Sequence, residues 1–226
     1  MRSGGAVRTL FDLIVKPPYA FARDRIAEAL DRHAGIRTEG QFTLDELGIS
    51  GAHQVHYKPS NWLVLRRILP PRQVTANDVF VDFGSGMGRV VYQAARNYPF
   101  RRVIGVELSE RMHAIAIDNI ERNRHRFGHC DVRLVRCDAR EFAIPDDVTI
   151  VYLNNPFSGP IFAYVVESLL ASVERSPRRL RIIYFNPVEE RLLLDAGFRV
   201  VKVIGGLRPS TEWSRANSAR LYEISA

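Results

Sequence analysis

Two rhythms of apolar and polar residues run along this chain. Apolar runs of strand length occur at Val79–Phe83, Arg102–Glu107, Thr149–Leu153 and Leu180–Phe185, and read as buried strands. Val132, Leu134 and the Cys137 side alternate with arginines, which predicts a further, partly exposed strand between the second and third of these. Helical spacing fills the gaps. Val90 and Val91 open one amphipathic segment, Ile115, Ile117 and Ile120 mark a long helix to about Phe127, and Ile161, Val165 and Leu169 mark another. A short helix over Val188–Ala196 is closed by Gly197, and Phe198–Ile204 and Ala219–Ile224 supply the last two strands. Strand and helix in turn predict an α/β, Rossmann-like fold, a mostly parallel seven-stranded sheet whose last strand is antiparallel, with helices on both faces.

Ahead of the first strand the pattern is helical. Ile26, Ala27 and Leu30 mark an amphipathic helix, a second short one follows Thr43, and Asn61–Leu69 reads as a helix stopped by Pro70-Pro71. The expected division is a helical extension over 1–54 and the main α/β domain over 55–226. No internal repeat or low-complexity segment is visible.

Chemistry concentrates at the ends of the strands. Phe80-Val81-Asp82-Phe83-Gly84-Ser85-Gly86-Met87-Gly88-Arg89 passes from a buried strand through three alternate glycines into a helix. Such a turn lets a ligand approach backbone without meeting a Cβ, and the helix start offers free N–H groups. A dinucleotide fingerprint would want a glycine or alanine at position 89, which is arginine, and no Gly-Lys-Ser/Thr of a phosphate loop follows. Asp82 at the strand end would repel a diphosphate and suits a cationic or amino-bearing ligand. Glu107 ends the second strand, where an acid can accept both hydroxyls of a ribose, and Ser109 is the N-cap of the following helix. Asp138, just past the third strand, reads either as a turn residue or as an acceptor for a base. The fourth strand runs into Asn154-Asn155-Pro156-Phe157-Ser158-Gly159, two amides and an aromatic at the edge where α/β sheets hold ligands. Neutral amides can accept a hydrogen bond from an amine without favouring its unreactive ammonium form, and Phe157 could wall the channel. The alternative there is an Asn-Pro turn with a packed phenylalanine.

Taken together, the Asp82–Gly88 turn, Gly105-Val106-Glu107 and Leu153–Gly159 resemble class I S-adenosylmethionine methyltransferases. More sharply, they resemble the Dot-type (non-SET) histone lysine methyltransferases, over roughly residues 55 to 160. The resemblance implies that Asp82, Gly84, Ser85, Gly86 and Gly88 hold the methionine part and backbone of S-adenosylmethionine. It implies that Glu107 and Leu108 serve the ribose, Asp138 and Ala139 the adenine, and Tyr57, in His56-Tyr57-Lys58-Pro59-Ser60, a loop closing over the methionine. Asn154, Asn155 and Phe157 would face the methyl acceptor, with Asn154 also beside the cofactor. Pro156 departs from the Dot-type motif, and no long lysine-rich tail is present. Asn154-Asn155-Pro156-Phe157 is also one substitution from the Asn-Pro-Pro-aromatic motif of enzymes that methylate planar amines, adenine N6 or glutamine amides. There the aromatic stacks on the planar group. Both alignments place an amine beside the sulfonium and imply N-methylation of a protein lysine or another amine. A methyltransferase for RNA or a small metabolite, and a protein with a non-catalytic nucleoside or NAD(P) site, are the alternatives.

Charge and cysteines add less. Lysine plus arginine number 32 against 25 acids, a formal +7, and lysine occurs only at Lys16, Lys58 and Lys202. Arg122, Arg124, Arg126, Arg133, Arg136 and Arg140 could form a basic face for an anionic partner, although arginines are spread along the chain; nucleic acid is a partner the sequence permits without favouring. A protein or small-molecule amine is the expected partner. Two cysteines form no disulfide framework, which fits a reducing, cytoplasmic setting. His125, His129 and Cys130 read as a solvated helix end rather than a metal set, and no apolar run reaches membrane-spanning length.

Overall fold

Seven strands form a single twisted sheet in the order β3-β2-β1-β4-β5-β7-β6. The computed structural model describes residues 16–40, 42, 59–205 and 218–225. The strands are β1 Val79–Phe83, β2 Arg102–Glu107, β3 Asp131–Arg136, β4 Ile150–Leu153, β5 Leu180–Phe185, β6 Arg199–Ile204 and β7 Ala219–Ile224. The pairings from β3 to β5 are parallel, and β7 lies antiparallel between β5 and β6. The sequence therefore carried the sheet correctly, down to the antiparallel last strand. The β1–β4 junction is where the strand order reverses, and the carboxyl ends of the strands there face the crevice in which such sheets bind ligands.

The helices are α1 Lys16–Ala34, α2 Val64–Ile68, α3 Arg89–Asn97, α4 Glu110–Asn123, α5 Gly159–Arg175 and α6 Glu190–Asp195. Side chains alternate across β1 and split the core in two. Phe80 faces a cluster with Leu65, Ile68, Val91, Ala94 and Ile120, whereas Val79, Val81 and Phe83 face Phe162, Val165, Val166 and Leu169 of α5. Ala34 and Ile36 belong to the first cluster, so the end of α1 is built into the core of the sheet domain.

Local differences from the sequence reading have local causes. The helix expected over Asn61–Leu69 is confined to Val64–Ile68. Asn61 Oδ1 accepts the Leu63 N–H at 2.9 Å, which makes a turn of the first residues. Leu69, at φ −125°, is kept out of the helix by the following proline. Helix α4 ends at Asn123 and passes through a 3-10 turn, Arg124–Arg126, rather than running to Phe127. The short helix after Thr43, Tyr57 and most of the 205–217 loop lie outside the described residues. Among the described residues no helix is long and apolar enough to cross a membrane.

Candidate functional site

The glycine turn is fastened to β2 before any ligand is considered. The N–H groups of Gly84 and Ser85 both donate to the Val106 carbonyl, at 2.9 and 3.0 Å, and Gly88 N–H closes the turn on the Ser85 carbonyl at 2.9 Å. Gly84, Gly86 and Gly88 take φ of 71°, 55° and 83°, the left-handed region that glycine enters without a Cβ penalty. Two of these glycines answer to the protein itself. A Cβ at Gly84 would lie 2.4 Å from the Pro156 Cβ, and one at Gly88 would lie 3.2 Å from the Ala116 Cβ on α4. Gly105 makes room for α3 in the same way, since a Cβ there would meet Val91, Leu134 and Ser85 Oγ within 3 Å.

Asp82 and Glu107 are both buried, at 2% and 7% exposure. The Glu107 carboxylate accepts the Gly86 N–H and the Ser109 N–H, each at 2.8 Å, so the second strand's acid braces the glycine turn directly. Burial pushes its pKa up, and the N–H groups of Ser109, Gly86 and Leu108 oppose that shift. Asp82 has no such support among the described residues. Burial first, and the neighbouring Glu107 charge second, raise its pKa well above the usual carboxylate range. Ser85 Oγ is buried with no hydrogen-bond partner among the described residues, on the side of the turn that faces Gly105. Leu108 is exposed at the end of β2, and Ser109 caps α4 as expected, its side chain accepting the Met112 N–H.

Asp138 lies at the third strand's end, as predicted, but its carboxylate is engaged. Arg140 donates to it from Nε, Nη2 and its backbone N–H, at 2.7 to 3.0 Å, and the side-chain pairing lowers the Asp138 pKa. Any base acceptor role shares Asp138 with this arginine, while Ala139 next to it is partly buried. The other arginines of the anticipated basic face are likewise answered locally. Arg122 pairs with Asp118, Arg124 with Glu121, Arg133 with Asp131 and Arg136 with Glu110, and Arg126 donates to the Ala34 carbonyl. Such pairs offset part of the positive charge of this face, and Arg126 keeps its charge because a carbonyl bears none.

Asn154 and Asn155 stand partly buried at the end of β4. Asn155 adopts φ 47°, left-handed backbone that asparagine tolerates better than most residues. Its Oδ1 accepts the Tyr184 hydroxyl at 3.2 Å, and that hydroxyl in turn accepts the Glu189 N–H at 3.3 Å. Glu189 Oε1 accepts the Gly159 N–H at 2.9 Å, which closes the motif onto the start of α5. Neither Tyr184 nor Glu189 was singled out from sequence; a tyrosine two residues before a second Asn-Pro, Asn186-Pro187, was the available signal. Phe157 is 6% exposed and belongs to the core cluster, its ring edge-on to Phe83 at 6.4 Å and 6.3 Å from Phe162. The ring packs under the motif, in the position of the packed-phenylalanine alternative.

The geometry has counterparts in known proteins. Residues 55–187 match the family model of the histone methylation protein DOT1. The chain is 27% identical over 173 residues to the histone-lysine N-methyltransferase, H3 lysine-79 specific, of Drosophila melanogaster, a match covering 70% of this chain and 9% of that protein. It is 35% identical over 69 residues to a protein-lysine N-methyltransferase of Saccharolobus islandicus, covering 30% of this chain and 43% of that one. The chain thus spans less than half the length of either relative. Among solved structures, a SAM-dependent methyltransferase from Aquifex aeolicus superposes with a TM-score of 0.50 at 15% identity, covering 72% of this chain and 93% of the other, a likeness of fold.

Proposed function

The chain belongs to the DOT1 family of histone methylation proteins, and from that premise we propose that it is an S-adenosylmethionine-dependent N-methyltransferase whose acceptor is an aliphatic amine, a protein lysine foremost. The observation that carries the choice of amine is the burial of Phe157. An enzyme for planar amines needs that aromatic to stack on the flat acceptor, and a ring packed against Phe83 and Phe162 is not presented for stacking. An aliphatic amine needs only hydrogen-bond acceptors and exclusion of water, which Asn154 and Asn155 at the end of β4 supply.

The residues fit the cofactor. The left-handed turn Gly84–Gly88 presents backbone rather than side chains, and Ser85 Oγ is a buried hydroxyl without a partner. Bound S-adenosylmethionine would supply an electrophilic methyl on a sulfonium. Asp82 would hold its α-ammonium, Glu107 its ribose hydroxyls, and Asp138 with the Ala139 N–H its adenine. Glu107 has lone pairs left after the Gly86 and Ser109 bonds, because each carboxylate oxygen accepts more than one donor. The chain's contribution to rate is then orientation and desolvation: the asparagine amides align a neutral amine and carry no charge that would keep it protonated.

The test is transfer of labelled methyl from S-adenosylmethionine to matched acceptors: a histone-derived lysine peptide, a glutamine peptide, RNA and free amines. Label on the lysine ε-amino group supports the proposal. Label confined to RNA or to the glutamine amide replaces it with the planar-amine reading. Calorimetry with S-adenosylhomocysteine against NAD tests the cofactor separately, and preference for NAD would overturn it.

A further inference from the structure

Arg89 opens α3 immediately after Gly88 and is 4% exposed, yet no role in cofactor or acceptor binding falls to it. A buried guanidinium costs desolvation energy unless its donors are met. Here they are met from two separate stretches of chain. Its Nε donates to Thr38 Oγ1 at 2.6 Å and its Nη1 to the Ser60 carbonyl at 2.9 Å. Its Nη2 pairs with Asp31 Oδ1 at 3.1 Å and with Glu39. The guanidinium lies 5.6 Å from the centroid of Trp62, whose indole N–H donates to Asp31 at 2.9 Å. Asp31 Oδ2 also accepts the Thr38 N–H and hydroxyl, each at 2.7 Å.

A second tie runs beside the first. Asn119 of α4, fully buried, donates from Nδ2 to the Met87 carbonyl inside the glycine turn and to the Arg37 carbonyl, both at 2.9 Å. Its Oδ1 accepts the Arg37 N–H at 2.9 Å. The stretch 31–39 is therefore bonded to the turn on two sides, through Arg89 and through Asn119.

We infer that Arg89 is a positioning residue for the cofactor turn: with Asp31, Thr38 and Ser60 it locks the first turn of α3 against the 31–39 stretch and so holds Gly84–Gly88 in its left-handed form before the cofactor arrives. The inference rests on the proposed cofactor site. Glycine has more backbone freedom to lose than any other residue, so a turn with three of them, if unanchored, would bear that loss on binding. Lysine cannot replace the arginine, because one ammonium cannot reach acceptors arrayed around a planar fork.

The test compares the unsubstituted chain with Arg89→Lys and Thr38→Val by calorimetry with S-adenosylhomocysteine and by hydrogen exchange of backbone amides. Arg89→Lys is expected to weaken S-adenosylhomocysteine binding about ten-fold and to speed exchange at Gly84, Ser85, Gly86 and Gly88, while amides of β1 and β4 keep their rates. Thr38→Val, which removes one acceptor from Arg89 and one donor to Asp31, should move both readouts the same way by about three-fold, and it stands in if Arg89→Lys does not fold. Unchanged exchange in the turn together with unchanged affinity overturns the inference, as does faster exchange spread evenly over the sheet. If the wild-type protein binds no S-adenosylhomocysteine, the cofactor reading fails, and the exchange rates alone still decide the positioning role.

Discussion

Gly84 and Pro156 are packed so closely that a Cβ on the glycine would lie 2.4 Å from the proline Cβ. The first residue of the glycine turn and the proline of the Asn154–Phe157 motif thus share one contact across the β1–β4 junction. Pro156, the residue that departs from the Dot-type pattern, adds to the demand for glycine that the φ of 71° already makes.

Gly84→Ala should destabilise the protein by more than the ~1–2 kcal/mol of forcing alanine into left-handed backbone, because the Pro156 clash adds to it. Pro156→Gly, which removes that Cβ, should recover part of that loss. A double-mutant cycle in chemical denaturation is expected to show a coupling of about 0.5–3 kcal/mol between the two positions. Strict additivity would mean that the turn and the motif do not bear on one another.

Asp82 gives the site a pH dependence whose sign can be stated. Its folded pKa is raised by burial and by Glu107, so the fold favours the protonated acid. The stability this contributes is complete below the ordinary carboxylate value near 3.8 and is lost as pH rises through the raised folded value. Asp82→Asn should flatten that decline in unfolding measurements on the ligand-free protein. An ammonium-bearing ligand favours the ionised form, so S-adenosylhomocysteine affinity should climb with pH over the same window and lose that climb in the variant. A pH-independent affinity in the wild type would remove Asp82 from the ammonium role.

Tyr184→Phe removes the hydroxyl that holds Asn155 Oδ1 and accepts the Glu189 N–H. Burial pushes the Tyr184 pKa up to about 12, so the group is a neutral donor throughout the working range. The variant should lose ~1 kcal/mol of stability and several-fold in turnover, with cofactor affinity retained, since the residues proposed to hold the methionine, ribose and adenine are elsewhere. Equal loss of affinity and turnover would show that the contact serves the whole fold.

Phe157→Ala should cost ~3–5 kcal/mol of stability, as for a large ring removed from a packed core. Phe157→Leu should keep most of the volume and leave turnover per folded molecule close to wild type. A selective loss of turnover in the leucine variant, with stability retained, would return the ring to the acceptor channel and reopen the planar-amine alignment.

Much of the fold was legible because it is encoded over short spans. Period-two and period-three-to-four patterns report the face a residue presents, and they placed every strand from β1 to β7. Ser109 was readable as a cap because a helix start is fixed by the residues beside it, whereas the 61–69 helix was overread because Asn61 makes a turn of its first residues and Pro70 restricts Leu69.

By itself the sequence determined the α/β alternation, the glycine turn, the acids at the ends of β1 and β2, and the amide pair that closes β4. Each follows from spacing within one element. Only the tertiary structure decided what those residues are set against. Gly84 turns out to be required by Pro156, Phe157 belongs to the core, Asp138 is held by Arg140, and Arg89 gathers partners from residues 31–39 and from Ser60. Thr38 and Arg89 are 51 residues apart in the chain, and no periodicity relates them. Their contact depends on how α1 and α3 meet the same face of the sheet, a property of packing rather than of sequence spacing.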